Sequence, residues 1–427
     1  MAETVIIADD LTGGNACGIA FARQGFRVLS VPAAFANEDW RDWDVLTVNT
    51  ETRERSPEEA YESVRRACAN AKKTGARFLF KQNDSAMRGH VGAELAAALE
   101  GSGERCAVFV PACPGNGRVT RNGIHYVNGK PCKEADIGWL AAYPPASSSI
   151  AECIRPYVRV SLLDLGIVRG PERRLRETLA AFRERGGIIV ADAEEDRDVR
   201  RIAQVVASMD FSLAGGSYVF AGELAGIRRP SAGTPCAHPV GGPSDANNGV
   251  SLLLAIGSLS ERTKRQIAEA LQTGAFVLKE IDVKEDAACG RMGEIMEAAR
   301  RCYAEGKHLI LVPERPASHP GTAIKDSGRQ VADRFAAFVA ELLDRTGCWS
   351  GLVLSGGETA SAVLKALATK GIVLHEEVFP TCPRGTILGG IADGMPVVLK
   401  AGDWGNFSAL IDIAAHMAGT TCRGAAE

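Results

Sequence analysis

The stretch TVIIADDLTGGNACGIA, residues 4–20, decides the fold because it joins a strand pattern to a helix pattern through a short polar turn. Its first five residues carry no polar alternation, which is typical of a strand buried on both faces of a parallel sheet. Short apolar runs of this kind alternate with longer helical patterns along the whole chain. Strand, helix and strand in repetition predict an α/β fold with right-handed crossovers.

Local signals in the first half of the chain support this interpretation. Ser56, Pro57 and Glu59 have the spacing of a helix start with a capping box, and Gly75 is placed to end that helix. Further strand patterns precede and follow this helix: RVLSV, DVLTVNT, RFLFK and CAVFVPA.

A segment rich in proline and glycine, residues 228–250, interrupts the alternation and predicts a linker or a long surface loop. Before it, GIIVADA and SYVFAG complete a first α/β unit; after it, SLLLAIG, FVLKEI, HLILVP, GLVLSG and PVVLKAG begin a second. We place the boundary near residue 235 and predict two domains, 1–235 and 236–427. Each is expected to be a largely parallel sheet flanked by helices.

Composition limits the partners. The 427 residues are 46% apolar and 24% charged with a net charge of −3, as in an ordinary soluble globular protein. The absence of a basic tail disfavours nucleic acid or an anionic membrane as the main partner. No apolar run has the length of a bilayer span and the N-terminus lacks a signal-peptide pattern, so we expect a cytoplasmic protein. The twelve cysteines include no Cys-x-x-Cys and are interpreted as buried free thiols.

Polar side chains collect where the predicted strands of the first domain end, which is where ligands bind in open α/β sheets. The first strand ends at Asp9 and Asp10, two carboxylates suited to Mg²⁺ coordination, to substrate hydroxyls, to a base or simply to a helix N-cap. Arginine can fork onto a carboxylate or phosphate, and amides and hydroxyls suit a sugar. The later strand ends supply such groups: Arg53, Asn83, Asp84, Ser85, Arg88, Arg118, Asn122 and His125. We predict a pocket for a small, anionic, hydroxylated ligand.

Glycine-rich strand-to-helix turns distinguish the second domain. Glycine lets backbone N–H groups approach phosphate oxygens, and a helix N-terminus favours negative charge. Three such turns predict nucleotide binding, although neither a P-loop nor a dinucleotide fingerprint occurs. Ser258 and Glu261 also have capping-box spacing. The turns contain Gly257–Ser258, then Gly356, Gly357, Glu358 and Thr359, then Lys400 followed by Gly402.

In this order the motifs resemble the four-carbon acid sugar kinase family over essentially the whole chain. They are IADDLTGGNACG, KQNDSAMRG, PACPGNGR with GIHYVNG, GSLS, SGGETA and KAGDWG. The resemblance implies an N-terminal sugar-binding domain and a C-terminal nucleotide-binding domain. It implies transfer of phosphate from ATP to the terminal hydroxyl of threonate, erythronate or 3-oxo-tetronate, giving the 4-phosphate.

Residue by residue, the resemblance implies acid-sugar contacts at Asp9, Asp10, Asp84, Ser85 and Arg88. It implies ATP contacts at Ser258, Gly356, Gly357, Glu358, Thr359 and Gly402. In this interpretation Arg88 binds the sugar carboxylate and Asp84 binds hydroxyls. Asp9, Asp10 and Asp84 are the candidates for the base, and we favour Asp10. Lys400 balances phosphate charge and Mg²⁺ bridges phosphate oxygens, with its protein ligands unassigned.

Departures from the family pattern concern the substrate more than the reaction. Asn83 stands where the family has a hydrophobic residue, and Ala86 where it has threonine; Glu358 replaces aspartate, and Asp403-Trp404 replaces Gly-Phe. Which four-carbon acid is used therefore stays open, as does self-association into a homo-oligomer. The alternatives are an NAD(P)-dependent sugar-acid dehydrogenase and a non-catalytic sugar-acid sensor.

Overall fold

The structure is a computed structural model that describes residues 2–33, 42–135, 143–228, 250–258, 260–283, 287–314, 324–347, 349–402 and 404–419. The chain divides into two compact units, Met1–Cys236 and Ala237–Glu427. Nearly all of the predicted linker, including the boundary near residue 235, lies outside the described residues, as does Asp403.

The first unit alternates strands and helices in the predicted manner. Its strands are β1 (Thr4–Ala8), β2 (Val28–Pro32), β3 (Val45–Asn49), β4 (Phe78–Gln82), β5 (Cys106–Val110), β6 (Arg118–Arg121), β7 (Ile124–Val127), β8 (Lys130–Pro131), β9 (Val160–Leu163), β10 (Gly187–Ala191) and β11 (Leu213–Gly216). Its helices are α1 (Leu11–Ala22), α2 (Pro57–Lys73), α3 (Val91–Ser102), α4 (Ile150–Ile154), α5 (Leu165–Val168), α6 (Glu172–Arg185), α7 (Asp196–Ser208) and α8 (Tyr218–Ile227).

The main sheet of this unit has the strand order β2-β3-β1-β4-β11-β5-β10-β9, and each neighbouring pair is parallel. The five strands predicted first are all present. The segment SYVFAG, however, belongs to α8, and the strand before it is β11, a run of small residues inserted between β4 and β5. A separate antiparallel sheet joins β6, β7 and β8, with an Asn-Gly turn at Asn128 and Gly129 between β7 and β8.

The second unit contains β12 (Leu252–Ile256), α9 (Glu261–Gln272), β13 (Phe276–Asp282), α10 (Ala287–Ala304), β14 (His308–Glu314), α11 (Ile324–Thr346), β15 (Gly351–Ser355), α12 (Gly357–Ala366), β16 (Gly371–Phe379), β17 (Cys382–Leu388), β18 (Pro396–Lys400) and α13 (Ala409–Met417). Within this unit the strands follow the order β13-β14-β12-β15-β18-β17-β16. The first five are parallel, and β17 pairs antiparallel with both β18 and β16. The predicted class, two largely parallel α/β sheets flanked by helices, is confirmed.

Two predicted helix caps have different outcomes. The Ser56 hydroxyl accepts from the Glu59 N–H at 3.2 Å and the Glu59 carboxylate accepts from the Ser56 N–H at 3.0 Å, so the capping box of α2 is confirmed. The capping box predicted for Ser258 and Glu261 is wrong. Helix α9 begins two residues later than that spacing requires, and the Ser260 hydroxyl caps it by accepting from the Thr263 N–H at 3.1 Å.

Eight cysteines are free thiols, and all of these but Cys153 are buried: Cys17, Cys68, Cys106, Cys113, Cys132, Cys153, Cys302 and Cys382. Burial raises the pKa of the Cys17 and Cys68 thiols, which therefore stay uncharged. No helix in the described part of the chain is both long and apolar enough to cross a membrane.

Candidate functional site

The polar strand ends predicted for the first unit meet at the carboxyl edge of its sheet. Strands β3, β1 and β4 are direct neighbours, so the residues that follow them lie side by side. Strand β11 separates β4 from β5, and its last residue, Gly216, accepts a hydrogen bond from the Asn83 N–H at 3.1 Å. A Cβ atom at Gly216 would lie 2.0 Å from the Val110 carbonyl oxygen, so only glycine fits there.

Arg53 holds both carboxylates of the first strand end. Its Nε and Nη2 atoms donate to the two Asp9 oxygens at 3.0 and 2.9 Å, and its Nη1 atom donates to Asp10 Oδ2 at 2.6 Å. The Arg53 side chain is 13% exposed and that of Asp9 is 2% exposed. A guanidinium matches this bidentate geometry, and its charge offsets two carboxylates that would otherwise repel each other at close range.

Asp10 has a second role as the N-cap of α1, because its Oδ1 atom accepts from the Gly13 N–H at 2.7 Å. The helix-cap interpretation of this aspartate therefore holds, and it coexists with the Arg53 ion pair. Burial raises the pKa of Asp10, the Arg53 guanidinium opposes that rise, and the neighbouring Asp9 carboxylate adds to it. The net result is a pKa above the usual value of an aspartate.

A second arginine–carboxylate fork lies in the turn after β4. The Nε and Nη2 atoms of Arg88 donate to Asp84 at 2.8 and 2.9 Å, and the Arg88 N–H donates to the same carboxylate at 3.2 Å. Burial raises the pKa of Asp84, but the guanidiniums of Arg88 and Arg53 outweigh it and hold that pKa well below its usual range. Asp84 is thus a firmly ionised hydrogen-bond acceptor, while the Arg88 side chain is 33% exposed.

His125 secures this turn from the antiparallel sheet. Its Nε2 atom lies 2.9 Å from the Ser85 carbonyl oxygen, which can only accept, so Nε2 carries the proton and Nδ1 accepts from the Thr120 hydroxyl at 3.1 Å. Burial lowers the pKa of His125 to about 4, so the imidazole is neutral near pH 7. His125 therefore meets the predicted site through the backbone of Ser85.

The other two polar residues predicted after β5 take up different places. Asn122 lies in the β6–β7 turn, where its N–H donates to the buried Asp192 carboxylate at 2.7 Å. Arg118 begins β6 and donates to the Asn116 carbonyl oxygen at 3.4 Å.

A buried ion pair that sequence reasoning missed lies next to the two forks. The Lys81 ammonium is 2.8 Å from Glu94, and their side chains are 0% and 1% exposed. Strand β4 runs through Gln82 and encloses Lys81. The available signals were a lysine directly after the apolar run FLF and a glutamate in the apolar helix VGAELAAALEGS.

In the second unit the three glycine-rich turns come together, since β12, β15 and β18 are adjacent and parallel. The turns pack closely: a Cβ at Gly257 would lie 1.8 Å from Thr359 Oγ1, and a Cβ at Gly402 would lie 2.4 Å from Ser258 Oγ. The Gly257 N–H donates to the Ser355 carbonyl oxygen at 3.1 Å. Glycine is therefore needed for the turns to meet at one edge.

The third of these turns is also braced from α9 and from its own strand. The Lys400 ammonium donates to the Ala401 and Gly402 carbonyl oxygens at 3.0 Å each. The Thr263 hydroxyl donates to the Gly402 carbonyl oxygen at 2.6 Å. Lys400 is 2% exposed, so one role of its ammonium is to hold the glycine turn in shape.

The N-terminus of α12 adjoins the glycine-rich turns and has no side-chain cap among the described residues. The N-cap residue is Gly356 with φ +100°. Glu358 and Thr359 follow in that first turn. Uncapped N–H groups at a helix N-terminus, next to two other glycine turns, form an anion-binding arrangement.

Comparison with known proteins follows the same division of the chain. A model of a sugar-binding N-terminal domain matches residues 4–223, and a model of a nucleotide-binding C-terminal domain matches residues 253–410. A solved Salmonella typhimurium protein covers 97% of this chain and 99% of its own at a TM-score of 0.78 and 21% identity, which shows a shared fold.

Curated relatives match nearly the full length. The D-threonate kinase of Salmonella typhimurium is 30% identical over 96% of this chain and 97% of the relative. The D-threonate kinase of Bordetella bronchiseptica is 32% identical over 95% of each chain. The D-erythronate kinase of Heliobacterium modesticaldum is 27% identical over 96% of this chain and 95% of its own. The chain therefore belongs to the four-carbon acid sugar kinase family.

Proposed function

We propose that this chain uses ATP to phosphorylate the terminal hydroxyl of a four-carbon sugar acid, of the threonate, erythronate or 3-oxo-tetronate type, giving the 4-phosphate. Residues 1–235 would bind the sugar acid and residues 236–427 the nucleotide. The observation that carries the proposal is the pair of neighbouring arginine–carboxylate forks, Arg53 on Asp9 and Asp10 and Arg88 on Asp84. Relatives that match the chain almost end to end are kinases of such acids.

The forks suit a ligand that has one carboxylate and several hydroxyls. Three carboxylates that already face guanidiniums are fixed acceptors for hydroxyl donors. Arg53 is enclosed by Asp9 and Asp10, so we assign it to orienting those carboxylates. Arg88 is more exposed and uses only Nε and Nη2 on Asp84, which supports a role for it on the carboxylate of the sugar acid. Asn83 and Ser85 flank Asp84 and complete the proposed sugar contacts.

The second unit fits the phosphates of ATP. The uncapped N-terminus of α12 and the turns at Ser258 and Gly402 would supply backbone N–H donors, with Gly356, Gly357, Glu358, Thr359 and Lys400 lining the same edge. Groups of three or more metal-ligating side chains are absent from the described part of the chain. Mg²⁺ is commonly held by substrate phosphates with one or two carboxylates, and when bound it neutralises phosphate charge.

Asp10 is the proposed base. A carboxylate with a raised pKa accepts a proton more readily than Asp84, whose pKa is held down. Phosphoryl transfer depends more on positioning and charge than on proton abstraction, so we expect the contribution of the base to be modest. Asp84 would mainly bind substrate.

The proposal is tested by a coupled assay of ADP release with a panel of four-carbon sugar acids. We expect turnover that requires both ATP and one of these acids, with little ADP released when the acid is left out. NAD(P)⁺ with the same panel should give no change of absorbance at 340 nm. Binding of an acid without any ADP release would instead support a sensor.

Gly356→Val should weaken ATP binding, because a β-branched side chain at φ +100° strains the turn and its Cβ blocks close approach of phosphate. We expect KM for ATP to rise roughly tenfold or more, while calorimetric binding of the sugar acid is retained. Gly394→Val is the matched control, since Gly394 has φ +78° with nothing near its Cβ. An unchanged KM for ATP in folded Gly356→Val would refute this assignment.

Arg88→Lys keeps a positive charge but removes the guanidinium fork, so we expect a loss of about 2 kcal/mol in binding a sugar acid. Binding of the neutral amide of the same acid should weaken much less in this variant. Arg65→Lys, at an exposed ion pair on α2, serves as the control and should change neither. Equal losses on acid and amide would mean that Arg88 only shapes the turn at Asp84.

Asp10→Asn should lower turnover more than it weakens binding, whereas Asp84→Asn should mainly weaken binding. Asparagine caps a helix as well as aspartate does, so α1 should remain intact. Because a base must be deprotonated, wild-type turnover should fall as the pH drops through the raised pKa of Asp10. The measurements are single-turnover rates and calorimetric titrations of both variants. If Asp10→Asn binds the sugar acid weakly but turns over at the wild-type rate at saturation, the two roles are reversed.

A further inference from the structure

Glu94 is a buried carboxylate with three partners. It lies in the first turn of α3, where its Oε1 atom accepts from the Thr52 hydroxyl at 2.5 Å. Its Oε2 atom accepts from the Lys81 ammonium at 2.8 Å and from the Asn83 amide nitrogen at 3.3 Å. Lys81 also donates to the Gln82 carbonyl oxygen at 2.5 Å. We refer to Glu94, Lys81, Thr52 and Asn83 as the Glu94 network.

Stability alone gives a weak reason for this network. Both charges of the Lys81–Glu94 pair are removed from water, and replacing such a pair by well-packed apolar residues is often neutral or stabilising. A buried pair is better explained when its hydrogen bonds specify a geometry.

The Glu94 network contacts the chain next to both arginine–carboxylate forks. Thr52 is the residue before Arg53, and Asn83 is the residue before Asp84. The N–H groups of Thr52 and Arg53 both donate to the Asp9 carbonyl oxygen, at 2.9 and 3.2 Å. One carboxylate, Glu94, therefore holds the chain immediately before each fork.

We infer that Glu94 and Lys81 are positioning residues that set the two forks at one spacing, and so tune the affinity for the sugar acid. Neither residue contacts substrate in this account; each acts through Thr52 and Asn83. The inference rests on the proposed function, in which the forks bind the acid. It goes beyond that proposal by assigning the spacing of the forks to a pair that lies beneath them.

Single substitutions would leave one buried charge unpaired, so the test uses two neutral double variants. Lys81→Met with Glu94→Leu removes the charges and every side-chain hydrogen bond of Glu94. Lys81→Met with Glu94→Gln removes the same charges but keeps a polar group at position 94. The glutamine carbonyl oxygen can still accept from the Thr52 hydroxyl. The glutamine N–H can donate to the Asn83 Oδ1 atom, which has no partner among the described residues.

We expect the apolar double variant to raise KM for the sugar acid about tenfold or more, since small misplacements of binding groups have large effects. The glutamine double variant should stay within about threefold of wild type, and KM for ATP should change little in either. A wild-type KM for the acid in both variants overturns the inference. The inference is also overturned if KM for the acid and KM for ATP rise together in proportion to the loss of thermal stability.

If the apolar double variant does not fold, Thr52→Val and Thr52→Ser carry the same comparison. Valine removes only the hydroxyl that donates to Glu94, and serine restores it. Valine should raise KM for the acid and serine should not. Equal behaviour of the two overturns the inference.

A second readout needs no substrate. The ¹⁵N-edited resonances of the Nε–H groups of Arg53 and Arg88 report the forks directly and can be assigned with Arg→Lys variants. Both resonances should shift in the variant that removes the hydrogen bonds of Glu94 and stay near wild type in the variant that keeps them. If wild type phosphorylates no four-carbon acid, the proposed function fails, and these resonances still decide whether Glu94 positions the forks; unshifted resonances would refute it.

Discussion

The first unit depends on one interaction, the three hydrogen bonds from the Arg53 guanidinium to Asp9 and Asp10. Two adjacent carboxylates at the end of a buried strand would repel each other and favour protonation. The guanidinium offsets that repulsion and fixes both side chains without consuming every acceptor lone pair. The carboxylates therefore remain able to receive hydroxyl donors while they stay inside the fold.

The distribution of the two arginines also explains why the pKa values of Asp10 and Asp84 shift in opposite directions. Asp84 has a guanidinium of its own and a lowered pKa, whereas Asp10 shares Arg53 with Asp9 and has a raised pKa. The pKa values of Asp10 and Asp84 therefore differ because two arginines are shared unequally among three carboxylates. The imidazole of His125 adds rigidity but no charge, because burial keeps it neutral.

In the second unit, glycine-rich turns take the place that charged side chains have in the first. Phosphate oxygens need donors that approach closely, and side chains at Gly257 or Gly402 would fill the space in which the turns meet. Lys400 and Thr263 bind carbonyl oxygens of the third turn, which keeps its backbone in place. In the proposed function, the first unit would bind its ligand through charged side chains and the second through backbone N–H groups.

The sequence by itself determined whatever depends on neighbours along the chain. Apolar runs identified the strands from TVIIA to CAVFV, and the Ser56–Glu59 spacing identified the cap of α2, because both signals arise within a few residues. The order of motifs was sufficient to recognise the family. The polar character of the strand ends was also readable, since parallel strands place their carboxyl ends at one edge.

Only the tertiary structure decided which distant residues meet. Arg53 and Asp10 are 43 positions apart, and so were not paired from the sequence. The insertion of β11 between β4 and β5 escaped a search for apolar runs, because LAGG consists mainly of small residues. Glu94 reaches Thr52 across 42 positions, and Lys81 is buried only because β4 runs past it and α3 supplies a counter-charge. Such pairings follow from strand order and helix packing, which local patterns do not encode.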